Sequence, residues 1–145
     1  MTPYLTSEGV FLATLAAFIL GALWYSPLLF LDAWVKGKGM TLAGLPKRSL
    51  RYILQTQTYS FIAHGCMAFV LAVIFDITQV ETLKIALSLG ALLAFGFTTT
   101  THFVALVYTL DGNHYDKKNQ ISFLVMSLYY IAAVVVMSAV LFLVR

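Results

Sequence analysis

Tyr52 to Phe75 reads YILQTQTYSFIAHGCMAFVLAVIF and contains no charged side chain. A barrel strand would need only about 10 residues and would alternate apolar with polar. This run is longer and does not alternate. As a helix it is long enough to cross a hydrocarbon core of about 30 Å at about 1.5 Å per residue. Three more runs behave the same way: Gly9 to Leu31, Ile85 to Leu110 and Asn119 to Val144, so that each of the four has 23 to 26 residues. The rest of the composition agrees. Charged residues are 10% of the 145 and apolar residues 61%, too few charges to coat a soluble fold and too much apolar surface to hide in one. The expected fold is all-α: one antiparallel four-helix transmembrane bundle over residues 1–145, with spans at about 9–31, 55–76, 85–109 and 120–143.

Basic residues set the expected orientation. Lys36, Lys38, Lys47, Arg48 and Arg51 lie between spans one and two, and Lys117 and Lys118 between spans three and four. Only Lys84 and Arg145 lie on the other side. This bias predicts cytoplasmic first and third loops, with both termini outside. Glu8 and the lack of a basic n-region argue against a removable signal segment. The single cysteine, Cys66, falls mid-span and has no intrachain partner.

Polar residues cluster in the halves of the spans nearest the basic loops. Span one ends that way with Trp24, Tyr25 and Ser26, and span two begins with Gln55, Gln57, Ser60 and His64. Span three ends with Thr98 to Thr101 and His102. Span four begins with Asn119 and Ser122 and continues to Tyr129 and Tyr130. Gln57, Ser60 and His64 share one helix face by their three-then-four spacing, and so do Thr98, His102, Ala105 and Thr109. Small residues continue these faces as close-packing seams: Ala13, Ala17 and Gly21 in span one, Gly90 and Ala94 in span three. The pattern predicts a ligand cavity open to the cytoplasm, walled by Tyr25, Gln57, Ser60, His64, Thr98, His102 and Tyr129. Mutual satisfaction of these groups, with no ligand, is the plainer alternative.

Two histidines at similar depth also raise bis-histidine haem or metal ligation through His64 and His102. One histidine per helix is a weak signal for it. No catalytic set, phosphate-binding glycine loop or intramembrane carboxylate is present, and no metal site is expected. In the third loop Asp111, His114 and Asp116 lack the calcium-loop pattern and read as a solvated turn. The basic first loop suits anionic lipid headgroups. It has no aromatic interleaving of the kind that binds nucleic acid. Pro27 removes the normal partner of the Leu23 carbonyl and predicts a helix kink.

Four segments then carry a family resemblance: AAFILGALWYSPLLFLDAW (Ala16–Trp34), MAFVLA (Met67–Ala72), Gly96-Phe97 and SLYYIAAVVVMSAVL (Ser127–Leu141). In these the chain resembles the small bacterial membrane proteins catalogued as domain-of-unknown-function family 1761. The resemblance implies a four-span integral protein of a bacterial inner membrane and no stated activity. Small-ligand binding or translocation is the leading expectation, and because four spans make a bundle too narrow for a through-path it points to a homo-oligomer. An assembly subunit of a membrane complex is the alternative.

Overall fold

The computed structural model describes residues 3–108 and 116–145, and these are helical without strands. α1 spans Ser7–Trp24 and α2 Leu31–Gly37. A 3₁₀ turn, Leu42–Gly44, leads to α3, Leu50–Thr78. The next span begins as α4 (Leu83–Leu93), widens into a π-helical stretch (Ala94–Thr99) and finishes as α5 (Thr100–Val107). α6 is Lys117–Val144. Four helical segments are long and apolar enough to cross a membrane: Ser7–Trp24, Leu50–Thr78, Leu83–Val107 and Lys117–Val144. Asp111 and His114 of the third loop, and Thr109, lie outside the described residues.

Local chemistry sets the helix starts. Thr6, Ser49, Thr82 and Asp116 each cap a helix, accepting a backbone N–H from Gly9, Tyr52, Ile85 and Lys118 respectively. α3 stops at Gln79, a left-handed residue at φ 51°. In the third span Thr98, Thr100 and Thr101 turn back on their own helix, while the buried Thr99 hydroxyl has no partner among the described residues. Thr98 donates to the Ala94 carbonyl and Thr101 to the Phe97 carbonyl. Such back-bonding competes with the helix ladder and accompanies the wide π turn.

α6 is the axis of the bundle. It packs along α1, α2, α4 and the π stretch, and touches α3 and α5. Small residues permit these close approaches. Ala13 and Ala17 are fully buried in the core. A Cβ on Gly90 would sit 2.0 Å from Ser138 Oγ, so α4 can meet α6 there only through glycine. The seams Ala13–Ala17–Gly21 and Gly90–Ala94 therefore face inward, within one chain.

Tyr4, near the start of the chain, and Arg145 lie at one end, tied together. Asp76 accepts the backbone N–H groups of Tyr4 (2.7 Å) and Leu5 (3.0 Å) with its two carboxylate oxygens. The Tyr4 hydroxyl donates to the Val80 carbonyl at 2.6 Å. Arg145 donates to the Tyr4 hydroxyl and to the Val80 carbonyl, and stacks on Tyr4 and Phe142. Burial, reinforced by Asp76 and opposed by Arg145, pushes the Tyr4 hydroxyl above its usual 10.

The opposite, basic end is loose. All the buried residues of α3 lie from His64 onward, namely His64, Ala68, Leu71, Ala72 and Phe75. Residues 51–59 are exposed throughout. α3 thus leans away from α1 and α6 at the basic end and closes on them toward the termini. α3 and α4, consecutive in sequence, barely touch; an apolar groove of about 520 Å³ separates α3 from the third span.

Candidate functional site

The stretch Gly21 to Phe30 shapes one wall of the space under the leaning helix. The sequence predicts a kink at Pro27 inside a continuous span. The structure has a full break: α1 ends at Trp24, residues 25–30 form turns, and α2 starts afresh at Leu31. The physical reason is the one that predicts a bend. Pro27 has no N–H for the Leu23 carbonyl, and Ser26 takes its place, donating its backbone N–H (3.1 Å) and its hydroxyl (2.7 Å) to that oxygen. The Trp24 carbonyl is recovered by the Phe30 N–H at 3.0 Å. Eighteen residues of α1 still make about 27 Å of helix, close to a hydrocarbon core.

The turn folds Trp24 and Tyr25 onto α6. The Trp24 indole donates to the Val125 carbonyl at 3.2 Å. The ring centroid of Tyr25 lies 5.3 Å from that of Tyr129 and 5.9 Å from that of Trp34 on α2. Gly21 sits directly beneath Tyr129. A Cβ there would be 2.7 Å from the Tyr129 hydroxyl oxygen. The Tyr129 hydroxyl can cross α1 because residue 21 has no side chain.

Across this gap stands His64, only 5% exposed. Its Nδ1 is 2.6 Å from the Ser60 carbonyl, and its Nε2 is 2.6 Å from the Tyr129 hydroxyl. A carbonyl can only accept, so Nδ1 carries a proton. In the neutral ring Nε2 is then the acceptor, and Tyr129 donates to it. The hydroxyl has one proton and a second, more distant acceptor, the Ala17 carbonyl at 3.5 Å. One imidazole thereby links α3, α6 and α1.

Tyr25, Gln57, Ser60, His64 and Tyr129 together line a cavity of about 670 Å³ between α1, α3 and α6. Phe18, Gly21, Ala22, Thr56, Met126 and Tyr130 complete its wall, which contains no charged residue. Thr56 donates back to its own helix. Among the described residues neither the Tyr25 hydroxyl nor the Gln57 side-chain amide has a hydrogen-bond partner. The cavity therefore offers a neutral, aromatic-walled space with unspent donors and acceptors near its mouth.

Thr98 and His102 are not part of it. Thr98 lines the apolar groove beside α3, with its hydroxyl spent on Ala94. His102 lines a separate cavity of about 340 Å³ on the other side of α6, with its Nδ1 3.5 Å from the Ser127 hydroxyl. The two histidines do not meet. Tyr129 and Tyr130 stand between them, with centroid steps of 6.0 Å from His64 to Tyr129, 5.0 Å to Tyr130 and 5.1 Å to His102. A bis-histidine clamp on one iron or metal ion is not built by this arrangement, and His64 has both ring nitrogens engaged. Among the described residues no three His, Cys, Asp or Glu side chains gather in a metal-holding group. The sequence did not single out Phe18, Ala22, Thr56, Met126 or Tyr130, which also line this cavity. Each adjoins or shares a helix turn with a residue it did find.

The architecture so far defines a protein with four helices long and apolar enough to cross a membrane, built round a central last helix. The chain belongs to the family described as "Protein of unknown function (DUF1761)", whose model matches residues 9–142. No match was found among curated proteins or among solved structures.

Proposed function

We propose that this chain binds, and in a multimer translocates, a small neutral molecule in the cavity between α1, α3 and α6. The observation that carries this reading is the unpartnered Tyr25 hydroxyl and Gln57 amide on the wall of a cavity of about 670 Å³. Unspent polar groups at membrane depth call for a partner. The absence of charge on the wall favours an uncharged ligand with hydrogen-bonding groups and an apolar flank. His64 and Tyr129 form the floor, and the tied termini close the far end. In this reading the membrane is a bacterial inner membrane, the basic loops lie in the cytoplasm, and the cavity opens there. The first loop, with Lys36, Lys38, Lys47, Arg48 and Arg51, rests on anionic headgroups.

The test is small-molecule mass spectrometry on protein purified in mild detergent. Ala22→Trp fills the cavity from an exposed wall position, and Val70→Trp fills the apolar groove instead. The expected result is a molecule enriched with the wild type and with Val70→Trp but lost with Ala22→Trp. No enrichment, or enrichment that Ala22→Trp leaves unchanged, overturns the reading.

The assembly-subunit reading rests on another surface. The small-residue seams are spent within the chain, and the groove lined by Cys66, Met67, Val70, Leu93 and Phe97 is an apolar surface that a second copy or a partner helix can use. Cys66 is exposed there. Disulfide cross-linking of two copies through Cys66 in membranes supports a homo-oligomer, and its failure at high protein density removes this groove as the contact.

A further inference from the structure

We propose that the second cavity, beside His102, is a binding site for a phosphate group carried on an amphiphile. The proposal is independent of the cavity around His64. It starts from how two basic segments far apart in sequence are brought together. Gly37, at the end of α2, is buried against the first turns of α6. A Cβ there would lie 2.9 Å from the Ser122 nitrogen and 3.0 Å from its Cα, so the two backbones touch. Gly39 follows at φ 69°, and a Cβ on it would come within 3.7 Å of Lys118 Cδ. The result is that Lys38 and Lys118 line one cavity of about 340 Å³.

That cavity has two chemistries. Lys38, Lys118 and Ser122 are cationic or hydrogen-bonding. Ala105, Leu106 and Phe123 form an apolar side continuous with the span of α5. A cationic mouth over an apolar slot, at the boundary of a membrane-spanning segment, matches a phosphate headgroup with the start of its acyl chain. A free metabolite phosphate would need no apolar slot. Among the described residues an opposing charge is Asp116, which caps α6 and stands 3.5 Å from Lys118 Nζ. It holds the lysine in place and competes with an incoming anion. Lys36, nearby in sequence, is turned away to Asp32 at 2.6 Å.

The experiment titrates phosphatidylglycerol, phosphatidylcholine and inorganic phosphate separately into the full chain in mild detergent, read by native mass spectrometry. At about fivefold in affinity per basic contact, Lys38→Gln with Lys118→Gln is expected to weaken phosphatidylglycerol binding by about thirtyfold. Lys47→Gln with Arg48→Gln, in the same loop but off the cavity, removes only the loop's general attraction for anionic headgroups and is expected to weaken binding by less than about fivefold. Asp116→Asn keeps the helix cap, removes the competing charge and is expected to strengthen binding about fivefold. Ala105→Trp, at an exposed position, fills the apolar slot and is expected to abolish lipid binding with both lysines intact. Far-ultraviolet circular dichroism confirms that each variant folds. Equal losses from the two double variants would show general surface attraction and overturn the proposal. Binding of inorganic phosphate as tight as that of lipid, with no effect of Ala105→Trp, would assign the site to a soluble phosphate and overturn the amphiphile.

Discussion

Replacing Gly21 by alanine should break the contact on which the cavity floor depends, and the damage should be repaired from α6. The new Cβ would lie 2.7 Å from the Tyr129 hydroxyl oxygen, 3.3 Å from Cζ and 3.5 Å from Cε2. Only the first distance is impossible. To relieve it, Tyr129 must shift and stretch its 2.6 Å bond to His64. Overpacking costs about 1–3 kcal/mol, and loss of the hydrogen bond adds about 1 kcal/mol. Alanine returns up to about 1 kcal/mol through helix propensity. The net loss for Gly21→Ala is therefore about 1–3 kcal/mol. Tyr129→Phe deletes the clashing oxygen and leaves His64 Nε2 without its donor, costing about 1–3 kcal/mol alone. In the double variant the steric conflict is gone, and alanine at 21 should cost nothing further. Equilibrium unfolding in detergent on the two single variants and the double measures the coupling, expected at about 2 kcal/mol. Simple additivity of the two losses would refute the claim that glycine is present at 21 to let the hydroxyl pass.

Other expectations follow from the same contacts. Gly90→Ala should destabilise by about 1–3 kcal/mol, because its Cβ would meet Ser138 Oγ at 2.0 Å; Ser138→Ala in the same chain should recover most of that in the same unfolding assay. Asp76→Ala removes the acceptor of the Tyr4 and Leu5 N–H groups and should cost about 1.5–3 kcal/mol, seen as faster hydrogen exchange of those two amides. The Tyr4 hydroxyl is held protonated chiefly by burial, so its contribution is complete below pH 10 and lost as pH rises through its raised value. Thermal stability of the wild type should therefore fall more steeply above pH 10 than that of Tyr4→Phe, and parallel curves would refute this.

Much of the architecture was legible because lipid imposes a coarse rule on sequence. Four charge-free runs specify four spans, and small residues at four-residue steps specify where helices approach closely. Depth and helical face grouped Tyr25, Gln57, Ser60, His64 and Tyr129, and these five side chains line one cavity. The same reasoning put Thr98 and His102 with them, and here it met its limit. A helical face can be read from spacing, but the neighbour it faces cannot. α6 stands between the third span and α3, so a polar face on that span opens onto a different cavity. The π turn at Ala94–Thr99 also shifts everything after it off the face set by Gly90 and Ala94. The early stop of α1 was hidden because residues 25–31 are as uncharged as the helix before them. Tyr129 had one further signal available: it lies on a four-residue stripe with Val125, Ala133 and Met137, all buried.

The cavity itself is most directly tested by thiol accessibility in sealed vesicles. Cysteine is placed at Ser60, on the cavity wall, or at Val70, in the apolar groove, with Cys66 replaced by alanine in both. A membrane-impermeant thiol reagent should modify Ser60→Cys when applied from the side bearing the first loop, and should leave Val70→Cys unmodified from either side. Labelling of Ser60→Cys no faster than Val70→Cys would contradict a water-accessible cavity between α1, α3 and α6.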